Sequence, residues 1–408
     1  MKIKIFTIAI LLLPALIFAQ EKDSITMGAD YANDVYYSFE NGEVKSEPRP
    51  NWNIAFQTDP FSSSILINDG NGAILKTYPN GDTADWETLD TAGYSQWPAM
   101  YNHEESWTVS AFERNALGHP DYGWGKYNMN THDITGDSLF VLQLGDGTFK
   151  KVWIEKKVSA QNTYYFRYAD LNGENVQQVE LDISPYTGKN FVYYSLSNNE
   201  VVDREPAKDD WDIVFSRYMA MIGGATPYNV TGVLSNMNTG IAEYNNVSPN
   251  TEQWDMQDLD SSRSVIGYDW KEFDMGSFTY SVDDSTVFFA TAQSGAIYKI
   301  HFTKFEGSST GKVVFEIEEA STASVDAMGD EGPTVSVYPN PATQYVNARG
   351  DFSDQAVARL FDLSGKVVEQ RKVVDNKVQF VVSNLTEGVY MLSITDGGNT
   401  ISKSVLVR

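Results

Sequence analysis

The chain carries the same sequence pattern twice, and this duplication limits the folds open to it. Residues 35–38 (VYYS), 43–44 (EV) and 52–56 (WNIAF) return in the same order as 192–195 (VYYS), 200–201 (EV) and 211–215 (WDIVF). Residues 147–157 also align with 295–305 without a gap. Matches that recur in one order indicate an internal duplication. Copies of roughly 145–150 residues are too long for a solenoid, so we expect tandem domains at 20–172 and 173–320.

Each copy has the two-residue period of β-strands. Val152 and Ile154 alternate with Lys151 and Trp153, and residues 164–168 (YYFRY) are strong β-formers. Asn-Gly or Asp-Gly turn pairs separate such runs at 41–42, 80–81, 146–147 and 172–173. No long stretch has a helical apolar stripe. The sequence therefore predicts an all-β fold, with irregular connections around 79–132 and 223–279.

The N-terminus is typical of an export signal. Lys2 and Lys4 precede an apolar stretch that ends at Phe18, and Ala19 is a small residue suited to cleavage. We expect residues 1–19 to be removed, with transit through the periplasm. No later segment is apolar for about 18 residues, so no transmembrane segment is expected in the mature chain. The chain lacks cysteine, which excludes a lipoprotein anchor.

Charge and cysteine content exclude further classes of protein. The chain has 30 Lys+Arg and 55 Asp+Glu, a formal net charge of −25. That charge disfavours nucleic-acid partners and anionic membrane surfaces. Without cysteine there is no disulfide framework, Cys-ligated zinc or Cys nucleophile. No metalloprotease, nucleophile-elbow or nucleotide-binding motif occurs, so we predict that the protein is not an enzyme.

Residues 321–334 are small, polar and acidic and are predicted to be a linker. The segment 335–408 that follows resembles the type A C-terminal sorting domain of the type IX secretion system of Bacteroidota. The residues that carry this resemblance are Tyr338, Pro339, Asn340, Pro341, Asp362, Gly365, Lys366, Gly388 and Tyr390. The resemblance implies a small Ig-like β-sandwich, recognition by the outer-membrane translocon, and then release or attachment at the cell surface.

The duplicated unit resembles the HmuY family of bacterial haem-binding surface proteins. The likeness follows the strand and turn pattern of each copy, from the VYYS strand to the closing hairpin of 286–315. It implies two tandem HmuY-like β-domains and, in the best-known members, a haem held by two axial side chains from long loops.

The resemblance places candidate haem ligands in these loops. The position after a Trp-x-x-aromatic step holds Met129 in copy one and Met275 in copy two. A thioether can ligate haem iron, but Met is also a common apolar filler. The second ligand in copy one would be Met100 or His103, whereas the loop of copy two has no histidine. Haem is thus a candidate cofactor of copy one, with Met275 the weakest ligand candidate.

The remaining histidines carry little information in the sequence. His103, His119 and His132 fit no compact metal motif by their spacing, so no metal site is predicted. His301 alternates with apolar neighbours and is predicted to face solvent. Two functions remain open. The protein is a surface-displayed binding module for haem, another small hydrophobic ligand or a glycan, or it is a structural or adhesive surface protein that has lost haem binding.

Overall fold

The computed structural model describes residues 21–224 and 226–320. In the C-terminal part it describes 335–338, 342, 344–350, 352–353, 355–362, 366–374, 376–386, 388–396 and 399–407. The chain divides into two compact units, residues 1–323 and 324–408. The predicted signal 1–19, the linker 321–334 and the sorting residues Pro339, Asn340, Pro341 and Gly365 lie outside the described residues.

The first unit consists of antiparallel β-strands, which confirms the all-β prediction. Before the predicted copy boundary the strands are β1 (Glu21–Thr26), β2 (Asn33–Ser38), β3 (Gly42–Pro48), β4 (Ile54–Gln57), β5 (Ile65–Ile67), β6 (Ile74–Thr77), β7 (Gly125–Tyr127), β8 (Ile134–Gly136), β9 (Phe140–Gln143), β10 (Phe149–Val158) and β11 (Thr163–Asp170). After it they are β12 (Gln177–Asp182), β13 (Phe191–Ser195), β14 (Glu200–Val202), β15 (Ile213–Ile222), β16 (Thr226–Ser235), β17 (Ile241–Tyr244), β18 (Lys271–Asp274), β19 (Thr279–Val282), β20 (Val287–Thr291), β21 (Ile297–Phe305) and β22 (Lys312–Glu319).

Helical structure in the described part of this unit is limited to 3-10 turns of three residues each. They are Ala29–Tyr31, Arg49–Asn51, Asp69–Asn71, Thr83–Asp85, Tyr94–Gln96, Ala111–Glu113, Ser159–Gln161, Ser184–Tyr186, Met256–Asp258 and Gly307–Ser309. None of the described residues forms a helix long and apolar enough to cross a membrane.

The two sequence copies exchange their first three strands. The first large sheet has the order β12-β11-β10-β8-β7, with β9 on β10 and β6 on β9, and its edge strand β12 comes from copy two. The second large sheet, β1-β22-β21-β20-β17, takes its edge strand β1 from copy one. Mixed sheet one is β14-β13-β4-β5 and mixed sheet two is β16-β15-β2-β3, so each adds a hairpin from one copy to strands of the other. The remaining strands, β18 and β19, form a separate hairpin.

The exchange is reciprocal, and the exchanged strands of both copies pair in the same register. Tyr36 on β2 lies opposite Val214, and the matching Tyr193 on β13 lies opposite Ala55. At the sheet edges Lys22 pairs with Glu316, and Gln178 pairs with Arg167. Both copies therefore make the same strand pairs, each with the partner that the other copy supplies.

The two hydrophobic cores depend on the exchange. Core one combines copy-one residues, including Phe56, Phe140 and Tyr164, with five residues of copy two: Leu181, Ile183, Val192, Tyr194 and Leu196. Core two combines copy-two residues, including Phe215, Phe302 and Phe315, with the five matching residues of copy one: Ile25, Met27, Val35, Tyr37 and Phe39. Burial of such side chains contributes about 1.5–3 kcal/mol each, so the five exchanged residues supply at most about 15 kcal/mol to each core. The division at residues 172/173 into two domains stays a prediction, and neither core is built by one copy alone.

Loops cover the outer faces of both large sheets. Trp86, Leu89 and Trp97 pack on the first large sheet, and Val247 and Trp254 pack on the second. The prediction that His301 faces solvent is wrong, since its side chain is buried on the face of β21 that carries Ile297. The β-period shows which residues share a face, but it does not show that a distant loop covers that face.

The prediction of an irregular segment at 223–279 is also wrong, because this segment contains β16, β17 and β18. Pro227 and Gly232 lie in β16, and both residue types disfavour a strand prediction from sequence. Pro227 is tolerated because β16 is an edge strand of its sheet. Gly232 is required because a Cβ there would lie 2.3 Å from the carbonyl oxygen of Gly267.

The second unit is a small two-sheet sandwich, as predicted. Its strands are β23 (Val335–Tyr338), β24 (Tyr345–Gly350), β25 (Val357–Phe361), β26 (Val367–Lys372), β27 (Lys377–Val381), β28 (Gly388–Asp396) and β29 (Asn399–Val407). They form the sheets β23-β24-β27 and β26-β25-β28-β29 around a core that includes Val346, Leu360 and Phe380. Of the sorting residues, Asp362 and Lys366 close the β25–β26 turn through two hydrogen bonds, and the Tyr390 hydroxyl donates to the Thr386 carbonyl.

Paired cysteines test the strand exchange, since the chain has no cysteine of its own. In a Lys22→Cys/Glu316→Cys variant the two residues are register partners on β1 and β22, and their spacing suits a disulfide. We expect an intramolecular disulfide, detected by mass and by loss of free thiol. The control is Lys22→Cys/Arg167→Cys, because Arg167 would be the partner if copy one kept its own first strand. Efficient bonding in the control and none in the first variant would disprove the exchange.

Candidate functional site

A central layer separates the two mixed sheets and is lined symmetrically by the two copies. Tyr36 packs edge-on against Trp211 with ring centroids 5.0 Å apart, and the matching Tyr193 packs against Trp52 at 4.9 Å. A cavity of about 60 Å³ lies among these rings. This volume holds a few water molecules. The indole nitrogens of Trp52 and Trp211 and the hydroxyl of Tyr218 line it without a protein hydrogen-bond partner.

Charged groups are buried around this cavity. Arg204 forms an ion pair with Asp34 at 2.5 Å, with both side chains less than a tenth exposed. The carboxylate of Glu205 accepts hydrogen bonds from the backbone N–H groups of Asn190 and Phe191 at 2.9 and 3.0 Å. Burial raises the pKa of Glu205 to about 7, although these two bonds lower it. Burial likewise raises the pKa of Asp69 to about 6, against the attraction of Arg263. Such groups are costly to bury. The Arg204–Asp34 pair joins copy two to copy one.

Beside the cavity, the loop 103–108 of copy one is held on copy two. Arg263 donates to the carbonyl oxygens of His103 and Glu104 at 2.5 and 3.1 Å, and its guanidinium lies 4.4 Å from the ring centroid of Trp107. The indole N–H of Trp107 donates to the Ser235 carbonyl at 2.8 Å. These hydrogen bonds hold the loop 103–108 in place against copy two, where it forms a wall.

This wall bounds the candidate site, a surface groove of about 800 Å³ between the copies. Its volume lies within the usual range for ligand sites. Polar side chains dominate the lining, which consists of His103, Glu105, Ser106, Trp107, Thr108, Met237, Asn238, Glu243, Asp260, Ser261, Ser262, Ser264 and Val265.

The groove is acidic. Glu105, Glu243 and Asp260 line it, and none of its described lining residues is Lys or Arg. Burial and the nearby Asp269 raise the pKa of Glu243, while a hydrogen bond from Asn245 lowers it. Carboxylates accept hydrogen bonds and repel anions. The groove thus suits a ligand rich in hydroxyl groups and disfavours one that carries carboxylates or phosphates.

The four predicted haem ligands lie in different surroundings. Met100 is 4% exposed in core one, where its sulfur accepts a hydrogen bond from Thr77. His103 lines the groove, and its Nδ1 accepts from the Glu105 N–H at 3.1 Å. Met129 and Met275 are 67% and 73% exposed at hairpin tips. Because Met100 is buried in core one, its sulfur is not accessible to a haem as a second axial ligand. His103 lines the groove, whereas Met129 lies at a hairpin tip. Haem ligation by these residues stays a prediction.

The hairpins that carry Met129 and Met275 have the same geometry. Asn128 accepts from the backbone N–H of His132, and Asp274 accepts from that of Phe278, both at 2.8 Å. His132 and Phe278 both have positive φ, of 63° and 55°. Positive φ is costly for bulky residues and often marks a functional position. The sequence match at 124–129 and 270–275 thus extends to three-dimensional structure.

Sequence reasoning missed His119, which the structure places beside Met129. Its Nε2 lies 3.2 Å from the Met129 sulfur, and its ring is 5.2 Å from that of Tyr127. The nine residues between His119 and Met129 gave no periodic signal, because they consist of turns and the three-residue strand β7. Among the described residues, no group of three or more His, Asp or Glu side chains is arranged to hold a metal ion.

The buried carboxyl of Glu205 predicts a pH dependence of stability. Because its pKa is raised from 4.5 to about 7, its contribution to stability is complete below pH 4.5 and is lost as the pH rises to about 7. We expect wild type to lose about 2 kcal/mol more than Glu205→Gln between pH 5 and 8. Denaturant unfolding at each pH measures this, with the exposed Asp284→Asn as control. Equal pH slopes in wild type and Glu205→Gln would contradict the prediction.

Comparison with known proteins identifies two segments. Residues 336–408 match the model of the secretion system C-terminal sorting domain, and residues 187–318 match that of the HmuY protein. β-Agarase D of Zobellia galactanivorans is 35% identical over 86 residues, which is 21% of this chain and 17% of that protein. The chain therefore spans less than a fifth of that relative.

Two solved structures from Porphyromonas gingivalis show only weak likeness. The type IX secretion component PorZ aligns with 76% of this chain and 50% of its own, at 10% identity and a TM-score of 0.18. Latent dimeric PorU aligns with 82% of this chain and 34% of its own, at 9% identity and a TM-score of 0.17. Neither supports an argument about function. The two family matches show that this is a secreted or surface-attached protein with an HmuY domain at 187–318 and a type IX secretion sorting domain at 336–408.

Proposed function

We propose that the protein is a non-enzymatic binding module of the bacterial surface, and that its groove takes a neutral, hydroxyl-rich ligand such as an oligosaccharide. The observation that carries the proposal is the 800 Å³ groove with three carboxylates and several hydroxyl side chains. These groups can exchange hydrogen bonds with sugar hydroxyls. The absence of Lys and Arg from the described lining argues against anionic ligands.

The walls of the groove support binding without large rearrangement. One wall is the loop 103–108, clamped by Arg263, and the other includes Asp260, whose backbone pairs with that of Ile241. The carboxylate of Asp260 also accepts from the Ser262 N–H at 2.7 Å. A pre-organised site loses less conformational entropy on binding. The matched families are non-catalytic, which favours capture over turnover.

A variant that fills the groove tests the proposal. Ser261 is exposed on the groove wall, so Ser261→Trp blocks the groove without disturbing a core. We expect the labelled wild-type protein to bind members of an array of neutral oligosaccharides, and Ser261→Trp to bind them at least tenfold more weakly. Ser248→Trp, at an exposed site outside the groove lining, is the control and should bind as wild type does. Absence of wild-type binding, or equal binding by Ser261→Trp, would reject the glycan proposal.

Haem is the second candidate ligand, and the exposed thioether of Met129 beside His119 favours it. Imidazole nitrogen and thioether sulfur are both axial ligands of haem iron. On titration with hemin we expect a Soret shift that Met129→Ala abolishes and Met275→Ala retains, since copy two has no histidine at its hairpin tip. No shift at micromolar hemin, or a shift that survives Met129→Ala, rules out this candidate and leaves the groove proposal untouched.

A further inference from the structure

The contact between His119 and Met129 is a result of the local backbone. Tyr127 N–H donates to the Pro120 carbonyl at 2.8 Å, and Asp121 N–H donates to that of Gly118 at 2.9 Å. These bonds fold the segment 118–122 back along β7, whose hairpin tip carries Met129. The imidazole Nε2 and the thioether sulfur then meet at 3.2 Å on the protein surface.

The second imidazole nitrogen has its own neighbour. Nδ1 of His119 lies 3.5 Å from the Tyr122 hydroxyl, at the outer limit of a hydrogen bond. Without an ion, the Nε2–H group donates to the Met129 sulfur and Nδ1 accepts from the Tyr122 hydroxyl. An ion on Nε2 requires the tautomer with the proton on Nδ1, which then donates to the Tyr122 hydroxyl. Such a partner on the far nitrogen is typical of histidines that bind metal ions.

A further donor lies in the same hairpin tip. The ring centroid of Tyr127 is 5.2 Å from that of His119 and 5.9 Å from that of His132. The Tyr127 hydroxyl and Nδ1 of His132 are 2.5 Å apart. Both histidines and Met129 are exposed, so an ion reaches them directly from solvent.

The donor set is soft. Thioether and imidazole ligands favour Cu(I), whereas Mg²⁺ and Ca²⁺ require several oxygen ligands. The nearby carboxylates are already engaged. Asp121 accepts from the backbone N–H groups of Gly123 and Leu117, and Asp133 accepts from that of Ser159. At the bond lengths that zinc makes to imidazole nitrogen and thiolate sulfur, about 2.0 and 2.3 Å, an ion spans the observed separation at an angle near 100°.

The matching hairpin of copy two lacks this set. Phe278 stands at the position of His132, and Phe273 at that of Tyr127. Met275 is as exposed as Met129, but the described contacts of its hairpin include no imidazole. Met275 is therefore an internal control, because it presents a thioether in the same backbone geometry without a neighbouring imidazole among the described contacts.

We infer that His119 and Met129 form a surface site for the soft monovalent ion Cu(I). The site is separate from the groove and does not rest on the function proposed for it. It also needs no porphyrin, so its test is independent of the hemin titration.

Competition with a chromogenic Cu(I) chelator under anaerobic, reducing conditions tests this inference on the full secreted protein. We expect one equivalent of Cu(I) to bind to wild type and to Met275→Ala with the same affinity. Met129→Ala and His119→Ala should each bind at least tenfold more weakly. Because these side chains are exposed, thermal unfolding should be the same in all four proteins.

A parallel titration with Cu(II) separates the thioether from the imidazoles. Cu(II) prefers nitrogen and oxygen ligands, so His119→Ala should weaken its binding while Met129→Ala leaves it within a factor of two. The inference is overturned if Met129→Ala retains wild-type Cu(I) affinity, or if Met275→Ala loses as much affinity as Met129→Ala.

Discussion

The reciprocal exchange of β1–β3 and β12–β14 is the constraint on which the first unit depends. Each core receives five apolar side chains from the other copy, in matching positions and register. Removal of either set would leave large apolar surfaces of the mixed sheets without cover. The exchange also brings Tyr36, Tyr193, Trp52 and Trp211 into one central layer, where the buried Arg204–Asp34 ion pair and a small cavity lie beside apolar packing. Each of the two large cores is thus built by residues of both copies.

The candidate binding features follow from this arrangement. The groove exists because a copy-one loop lies against copy-two loops, and Arg263 holds it there with two carbonyl hydrogen bonds and a contact with Trp107. The hairpin tips at Met129 and Met275 have one backbone geometry but different side chains around them. Met129 of copy one contacts His119, and its hairpin carries Tyr127 and His132 where the hairpin of copy two carries Phe273 and Phe278. Equivalent scaffolds have therefore diverged at the exposed positions, where packing does not restrict the choice of residue.

Local patterns predicted the strands and the duplication, because the strand period and the turn pairs can be read from neighbouring residues. The C-terminal sandwich was predicted from the resemblance to sorting domains. Local patterns could not predict the exchange, since matching strands of two similar copies carry the same pattern and either partner satisfies it. They also could not predict the burial of Lys151 and His301, which depends on loops distant in sequence. Lys151 donates to the Trp86 carbonyl at 2.6 Å, and the sequence of its own strand does not predict this partner. The pairing of His119 with Met129 is likewise a product of irregular turns, for which the sequence has no period.

The pairing of β1 with β22 has a consequence for the order of synthesis. The first strand of the described chain finds its partner only when residues 312–319 have left the ribosome, so core two cannot close before nearly the whole first unit has been made. Core one waits for β12 and β13 in the same way. Contacts of such long sequence separation slow folding. Core one can close once β13 and the residues just after it have been made, whereas core two stays open until β22 is available.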